Sequence, residues 1–476
     1  MKIDLRSYPM IALAMGIITI LLALHHFKPE ILLRQTECAT LDSLRVYTFV
    51  LTGEPKETKR CLRYETEQKV LLYVLRDTTK TQPQAGDTVI AQTRIKRGGR
   101  IGDFDYGLYL RRKGIIGTAY TGNYILRKAN TPPQTPLQKR LYNRLAQSGL
   151  SGDELATTGA LTLGYKEDLD PELQHRFQAA GAAHVLAVSG LHTGIIYVVL
   201  MSLLTLRGRI KPRHENRLGR AAISLFVIAC MWGYAWLTGM TPSVVRCVVM
   251  VTLVETGKML YRHSPTLNTI AAAAVLILIV RPLDLWSVGF QLSFAATAAI
   301  VIFARDIETL VHRNDRRTDT KGYILSWVAG TVIISIAAQL GTLPITMYTF
   351  GQISNYFLLA NLIVLPLAAL LVPLGLASVA LGGTFFGHVV GKITFALAWA
   401  MNHSVSWIEA LPGSVTHVHT SASAHISGWM VLLLYAAMLM GWLTLHPRDK
   451  AHPAKALWWL VGVCAAMLAF CILYTL

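Results

Sequence analysis

Ser189 and His192 stand three residues apart in the segment Ala179–Gly194, AAGAAHVLAVSGLHTG, which opens a long apolar stretch. A hydroxyl and an imidazole at that spacing can meet as nucleophile and general base. No acidic residue lies close in sequence to orient the imidazole, so an intramembrane hydrolase is the weaker reading. His184 precedes His192 by eight residues, and on a continuous helix the two would point about 80° apart, a poor geometry for one metal ion. Ala187, Ser189, Gly190 and Gly194 are small enough to allow close helix approach or a break in the helix. A break would turn backbone N–H groups and imidazoles toward an anion in a water-filled path. Polar groups at membrane depth are expensive, which is why such a cluster marks a pathway or a binding site.

Arg246 lies near the end of another apolar run, close to Pro242. A lone arginine there either snorkels to the interface or is held inside by an anionic group. Gln291, Ser293, Gln339 and Asn361 are uncharged polar residues within or beside apolar runs, suited equally to helix–helix hydrogen bonds and to lining a pore. Glu255 and Lys258, three apart near a helix end, are expected to pair with each other. His417, His419 and His425 are irregularly spaced and do not predict a metal site.

These residues need helices to position them, and the composition supplies helices. Of 476 residues, 53% are hydrophobic and 15% charged, against roughly 25% charged in a soluble protein. Apolar runs of about 20 residues recur, the length that crosses a hydrocarbon core. Lys2 and Arg6 precede the run Pro9–Leu24, and no small-x-small cleavage site follows, so it reads as an uncleaved first helix with a cytoplasmic N-terminus. Further spans are expected at 183–206, 221–238, 243–261, 267–281, 285–304, 323–343, 356–376, 385–410, 426–445 and 456–475. The fold class is a polytopic α-helical membrane protein with about eleven transmembrane helices. Basic loops at 207–220, 305–321 and 446–455 all fall on the cytoplasmic side in this arrangement, which places the soluble segment and the C-terminus outside.

Residues 28–130 differ in kind. Leu44–Leu51, Lys69–Leu75, Gly86–Ile95 and Ile115–Thr121 are β-rich stretches separated by turn residues, and Gly102–Ile115 reads as a short helix between two strands. A small five-stranded barrel of the OB type, lying outside the cytoplasm, fits this order. Such folds bind single strands on a basic, aromatic-bearing face, a role suited to Tyr106, Tyr109, Arg111, Arg112 and Lys113. From Lys28 to Arg144 there are 22 Lys and Arg against 11 Asp and Glu, a balance that favours a polyanion or lipid headgroups. Cys38 and Cys61 could form a disulfide in an oxidising compartment. Residues 131–182 read as a linker and amphipathic helices, with Leu137–Gln147 resting on the membrane surface or packing against the barrel, and 183–476 as the membrane domain.

The segment His184, Ala187, Ser189, Gly190, Leu191 and His192 is in register with H-x-x-A-x-S-G-L-H, the signature of the ComEC competence family. The stretches Thr241–Arg246 (TPSVVR), Leu283–Phe294 (LDLWSVGFQLSF), Gly341–Pro344 and Asn361–Pro366 (NLIVLP) match further family elements in order. The chain thus resembles, over nearly its whole length, inner-membrane proteins that carry transforming DNA inward as a single strand. The resemblance implies a channel in the bacterial inner membrane, with DNA passing His184, Ser189, Gly190, His192, Arg246, Gln291 and Asn361. It implies single-stranded DNA and membrane lipids as partners, together with an external DNA receptor, a separate nuclease, a cytosolic motor or single-strand-binding protein, and a second copy of the chain. Many relatives continue into a metallo-β-lactamase-like domain with an H-x-H-x-D-H cluster. No such cluster is present here, nor a Walker-type loop, so the expectation is a channel with no enzyme activity, no metal and no cofactor. A transporter of another polyanion or of a lipid precursor is the rival reading.

Overall fold

The computed structural model describes residues 9–27, 43–128 (apart from 53–54, 59, 77–80, 97, 102–103 and 113), 137–206, 217–261, 266–312 and 320–417. Cys38, Lys113 and the expected spans 426–445 and 456–475 lie outside the described residues. Contacts divide the chain into two compact units, Thr19–Pro136 and Met1–Ile18 with Leu137–Leu476.

The first helix, α1 (Pro9–Phe27), is followed by the sheet unit. Its strands are β1 (Arg45–Val50), β2 (Lys56–Glu57), β3 (Cys61–Glu65), β4 (Val70–Leu75), β5 (Thr88–Thr93), β6 (Ile95–Lys96), β7 (Arg100–Ile101), β8 (Phe104–Asp105), β9 (Gly117–Thr121) and β10 (Ile125–Arg127), with helix α2 (Tyr106–Arg112) between β8 and β9. They form a three-stranded sheet β1–β5–β10, a five-stranded sheet β2–β3–β4–β9–β6 and the pair β7–β8. All neighbours are antiparallel except β4 and β9. Alternation along each strand sends Leu62, Tyr64, Leu72, Val74, Val89, Ala91 and Ala119 into one shared core. The four expected strands are present. The sequence reading missed β3, CLRYE, because its outward positions Arg63 and Glu65 are charged and only Leu62 and Tyr64 face the core. Tyr64 is fully buried and donates to the Pro83 carbonyl at 2.9 Å. Burial pushes its phenol up to about 12.

The second unit is helical: α3 (Leu137–Gln147), α4 (Gly152–Leu163), α5 (Pro171–Ala179), α6 (Ala183–Leu186), α7 (Gly190–Leu206), α8 (Arg217–Leu237), α9 (Pro242–Met259), α10 (Thr266–Val280), α11 (Val288–His312), α12 (Thr320–Phe350), α13 (Phe357–Ala380) and α14 (Phe385–Glu409). A 3-10 turn, Pro282–Trp286, precedes α11, and a short strand pair, β11 (Gln352–Ser354) with β12 (Val415–His417), flanks α13 and α14. Among the described residues, Gly219–Leu237, Ser326–Phe350 and Phe357–Ala380 are long and apolar enough to cross a membrane, and Gly190–Leu204, Thr266–Val280 and Val288–Ile302 are shorter apolar helices.

Two elements depart from the sequence reading. Helix α3 is amphipathic, but its apolar face does not rest on a membrane surface. Tyr142 and Leu145 are buried against Leu150, Leu163, Tyr165 and Val379. Helix α4 is the other surprise: every residue from Ala156 to Leu163 is buried, although the helix is too short to span a bilayer. Asp153 and Glu154 favour its N-terminus, and Gly164, at φ 71°, ends it in the left-handed region. Its threonines are satisfied: Thr158 and Thr162 donate to carbonyls four residues back, and Thr157 donates to Asn402 at 3.0 Å.

Candidate functional site

The expected single span 183–206 is broken. Helix α6 ends at Leu186, Ala187 is extended, and α7 begins at Gly190 with Ser189 before it. The break creates a helix N-terminus whose donors lack intrahelical acceptors. His192 reaches back to cap it: its Nδ1 accepts from the Ser189 backbone N–H at 3.0 Å and lies 2.9 Å from Ser189 Oγ. A nitrogen accepting from an amide carries no proton in the neutral ring, so the ring proton sits on Nε2. His192 is fully buried, and Nε2 has no partner among the described residues. The ring therefore acts as a cap that turns an N–H donor inward. For hydrolysis the geometry is unfavourable, because the nitrogen beside the serine already accepts from the backbone. His184, exposed on α6, is within electrostatic range of this ring.

The start of α7 packs on α9. Cys247 Sγ lies 3.6 Å from the Gly190 carbonyl, and the Cys247 side chain is 4.0 Å from where a Gly190 Cβ would stand. The preceding residue in α9 is Arg246. It does not snorkel: it is 3% exposed. One nitrogen, Nη2, donates to Ser243 Oγ at 2.9 Å, and Nε is buried without a partner among the described residues. Nη2 also lies 3.8 Å from the Cβ position of Gly289, in the first turn of α11. Asp284 is within electrostatic range, but no carboxylate among the described residues forms an ion pair with Arg246. A buried guanidinium thus meets the N-terminal ends of α9 and α11 with most of its charge uncompensated. Helix N-termini are themselves positive, so the arrangement favours an anion.

The remaining expected residues divide. Gln291 donates to the Leu285 carbonyl at 3.0 Å and secures the 3-10 turn. Asn361, 9% exposed on α13, keeps Oδ1 without a partner among the described residues. In the sheet unit, the Tyr106 and Tyr109 rings stack at 6.0 Å, and Tyr106 Oη lies 3.5 Å from Tyr73 Oη. Burial, then the Tyr73 hydroxyl, pushes the Tyr106 phenol up to about 12, so it stays neutral near pH 7. Arg111 and Arg112 end α2. Cys61 begins β3, and its expected partner Cys38 is outside the described residues.

Sequence reasoning expected the Glu255–Lys258 pair, at 2.7 Å, but missed its setting. Glu255 is 2% exposed and also accepts from Tyr197 Oη at 2.7 Å and Ser224 Oγ at 2.8 Å, tying α7, α8 and α9 together. Removing the carboxylate strands the Tyr197 and Ser224 hydroxyl donors, whereas Lys258 Nζ keeps Tyr197 Oη at 2.8 Å. Glu255→Ala should lower stability by about 2–4 kcal/mol. Lys258→Ala should cost about 1 kcal/mol or less, because that amine is half exposed and screened by water. Thermal unfolding in detergent checks both, and equal losses would show that the lysine, not the hydroxyl pair, holds the carboxylate.

Apolar helices that hold their polar side chains within the protein, joined to a separate sheet unit, define a polytopic membrane protein. Residues 161–448, more than half of the chain, match the family described as Competence protein, and the chain belongs to that family. It is 25% identical to ComE operon protein 3 of Bacillus subtilis (strain 168) over 74% of this chain and 42% of that protein. Recombination protein 2 of Haemophilus influenzae is 25% identical over 48% of this chain and 28% of its own length. Competence protein ComA of Neisseria gonorrhoeae is 27% identical over 44% and 29%. The chain spans less than half the length of each of these relatives. No solved structure matches.

Proposed function

We propose that this chain forms the inner-membrane channel through which single-stranded DNA passes during natural transformation. In this reading the helical unit crosses the membrane about ten times and, with α1, makes eleven spans. The N-terminus is cytoplasmic, and the sheet unit is an OB-like barrel on the outside that captures the strand through Tyr106, Tyr109, Arg111, Arg112 and Lys113. The observation that carries the reading is Arg246, buried among helix N-termini with a single neutral hydroxyl partner among the described residues. Such a group binds phosphate in place of water. With the inward Nε2–H of His192 it supplies weak donor contacts to phosphate, while Asn361 Oδ1, an acceptor, is open to a base N–H, and weak contacts let a channel release what it binds. His184, Ser189 and Gly190 shape the break, and Gln291 supports the adjoining turn. Family membership and the names of the relatives support the link to competence. The strand's receptor, the nuclease that frees it and the cytosolic motor are assigned to other proteins.

The test uses the source organism supplied with fluorescent double-stranded DNA, comparing wild type with a deletion of this gene. Label should still gather outside the inner membrane in the deletion and should be absent from the cytosol. Unchanged cytosolic label would overturn the channel and leave a transporter of another polyanion or of a lipid precursor as the better account.

A further inference from the structure

Strand register places one row of side chains straight across the outer face of the five-stranded sheet. Arg63 pairs with Tyr73, and Tyr73 pairs with Tyr120. Beyond Tyr120, β6 pairs Ile95 with Ala119 and Lys96 with Thr118, so the same register brings the exposed Arg94 beside Tyr120. Facing residues on neighbouring strands are close enough to touch. Here Tyr73 and Tyr120 stack with centroids 4.6 Å apart and planes 12° from parallel. Tyr73 covers one face of the Tyr120 ring, and the ring remains 57% exposed. Arg63 Nε is buried without a partner among the described residues. From Arg63 through Tyr73 and Tyr120 to Arg94 the row therefore reads basic, aromatic, aromatic, basic, on the face opposite the core residues Leu72, Val74 and Ala119.

We propose that this row is a base-stacking site for single-stranded nucleic acid, with Tyr120 as the exposed platform and Arg63 and Arg94 as phosphate contacts on either side. Two stacked rings with arginines at both ends match a strand whose bases and phosphates alternate along its length. Every base has a π-face, so such a site tolerates any sequence. A duplex hides its base faces and cannot use the open ring of Tyr120. Burial and the adjacent Tyr73 raise the Tyr120 phenol above its ordinary value, which keeps the platform uncharged against a polyanion. The inference takes its ligand from the DNA-channel reading, but it assigns recognition to the bases as well as to the backbone.

The test measures binding by fluorescence anisotropy on the full chain in detergent. Three probes are compared: a labelled oligothymidine 15-mer, an abasic strand of equal length and charge, and a duplex of the same length. Wild type should prefer the oligothymidine over the abasic strand by about tenfold, the scale of one stacked base. Tyr120→Ala should remove that preference and leave abasic binding unchanged. Tyr120→Phe, which keeps the ring, should retain it. Equal wild-type affinity for all three probes would overturn the proposal, as would a Tyr120→Ala variant that weakens oligothymidine and abasic strand alike. Loss of DNA import on gene deletion, combined with no base preference in this assay, would sink the stacking row and leave the channel. Unchanged import on deletion would sink the channel whatever the oligonucleotides show.

Discussion

Arg246→Ala should cut cytosolic DNA import by at least about tenfold while the thermal unfolding midpoint of the protein stays level or rises. The sign of the second effect follows from the partners. Removing one member of a buried ion pair strands its partner and costs about 3–5 kcal/mol, whereas removing a buried charge with poor compensation relieves a desolvation penalty. Arg246 keeps one neutral hydroxyl contact and an unsatisfied Nε, with Asp284 near but not in contact within an ion-pair distance. Its burial is therefore maintained by the surrounding fold, not by a stabilising bond. Arg246→Lys should recover part of the import, since a point charge survives but the forked donors are lost. A variant that lowers the unfolding midpoint, with import falling only in proportion to protein level, would make Arg246 a structural residue and remove it from the path.

A second large effect is expected at Gly391. An added Cβ there would collide with the carbonyl of Ser148, a backbone atom that cannot rotate away. This is where the connection after α3 lies against α14, and neighbouring contacts leave little slack. Gly382 approaches the Arg144 carbonyl, with an added Cβ 2.8 Å away, and Ser148 Oγ donates to the Ser378 carbonyl at 2.8 Å. Overpacking of this kind costs about 3 kcal/mol when the backbone must move, so Gly391→Ala should shift most of the protein from the monodisperse peak into aggregate on size-exclusion chromatography. Gly233→Ala is the control. It lies inside α8 with nothing within 4 Å of its Cβ position, and alanine there should be neutral or gain up to about 1 kcal/mol in helix preference. A monodisperse Gly391→Ala would mean that α3 and α14 can separate without loss of the fold.

The helices of the membrane unit were legible because their cause is local. Each apolar run needs its own backbone hydrogen bonds satisfied in a nonpolar setting, so 221–238, 243–261 and 356–376 could be read as helices without knowing their neighbours. The strands β1, β4, β5 and β9 and the helix α2 were legible for a similar reason, from alternation and turn residues. The family was legible too, since the signature residues are contiguous or nearly so. Helix α4 was not: its twelve residues carry Asp153 and Glu154 at the start, and nothing local says that the rest lies in the centre of a helical core.

The candidate sites divide along the same line. Composition alone pointed to a membrane protein with a basic outer segment, and the spacing of Ser189 and His192 allowed either a nucleophile with its base or a broken helix. Only the tertiary structure decided for the break, because the cap depends on where α6 stops and which ring nitrogen faces the chain. The isolation of Arg246 is likewise a statement about absent partners, fixed by α9 and α11 meeting across about forty residues of sequence. The row from Arg63 to Tyr120 joins three strands, two of them paired in parallel, and parallel pairing requires a long crossover that no local pattern encodes. Local physics chooses the elements; which side chains they bring together depends on long-range packing and register.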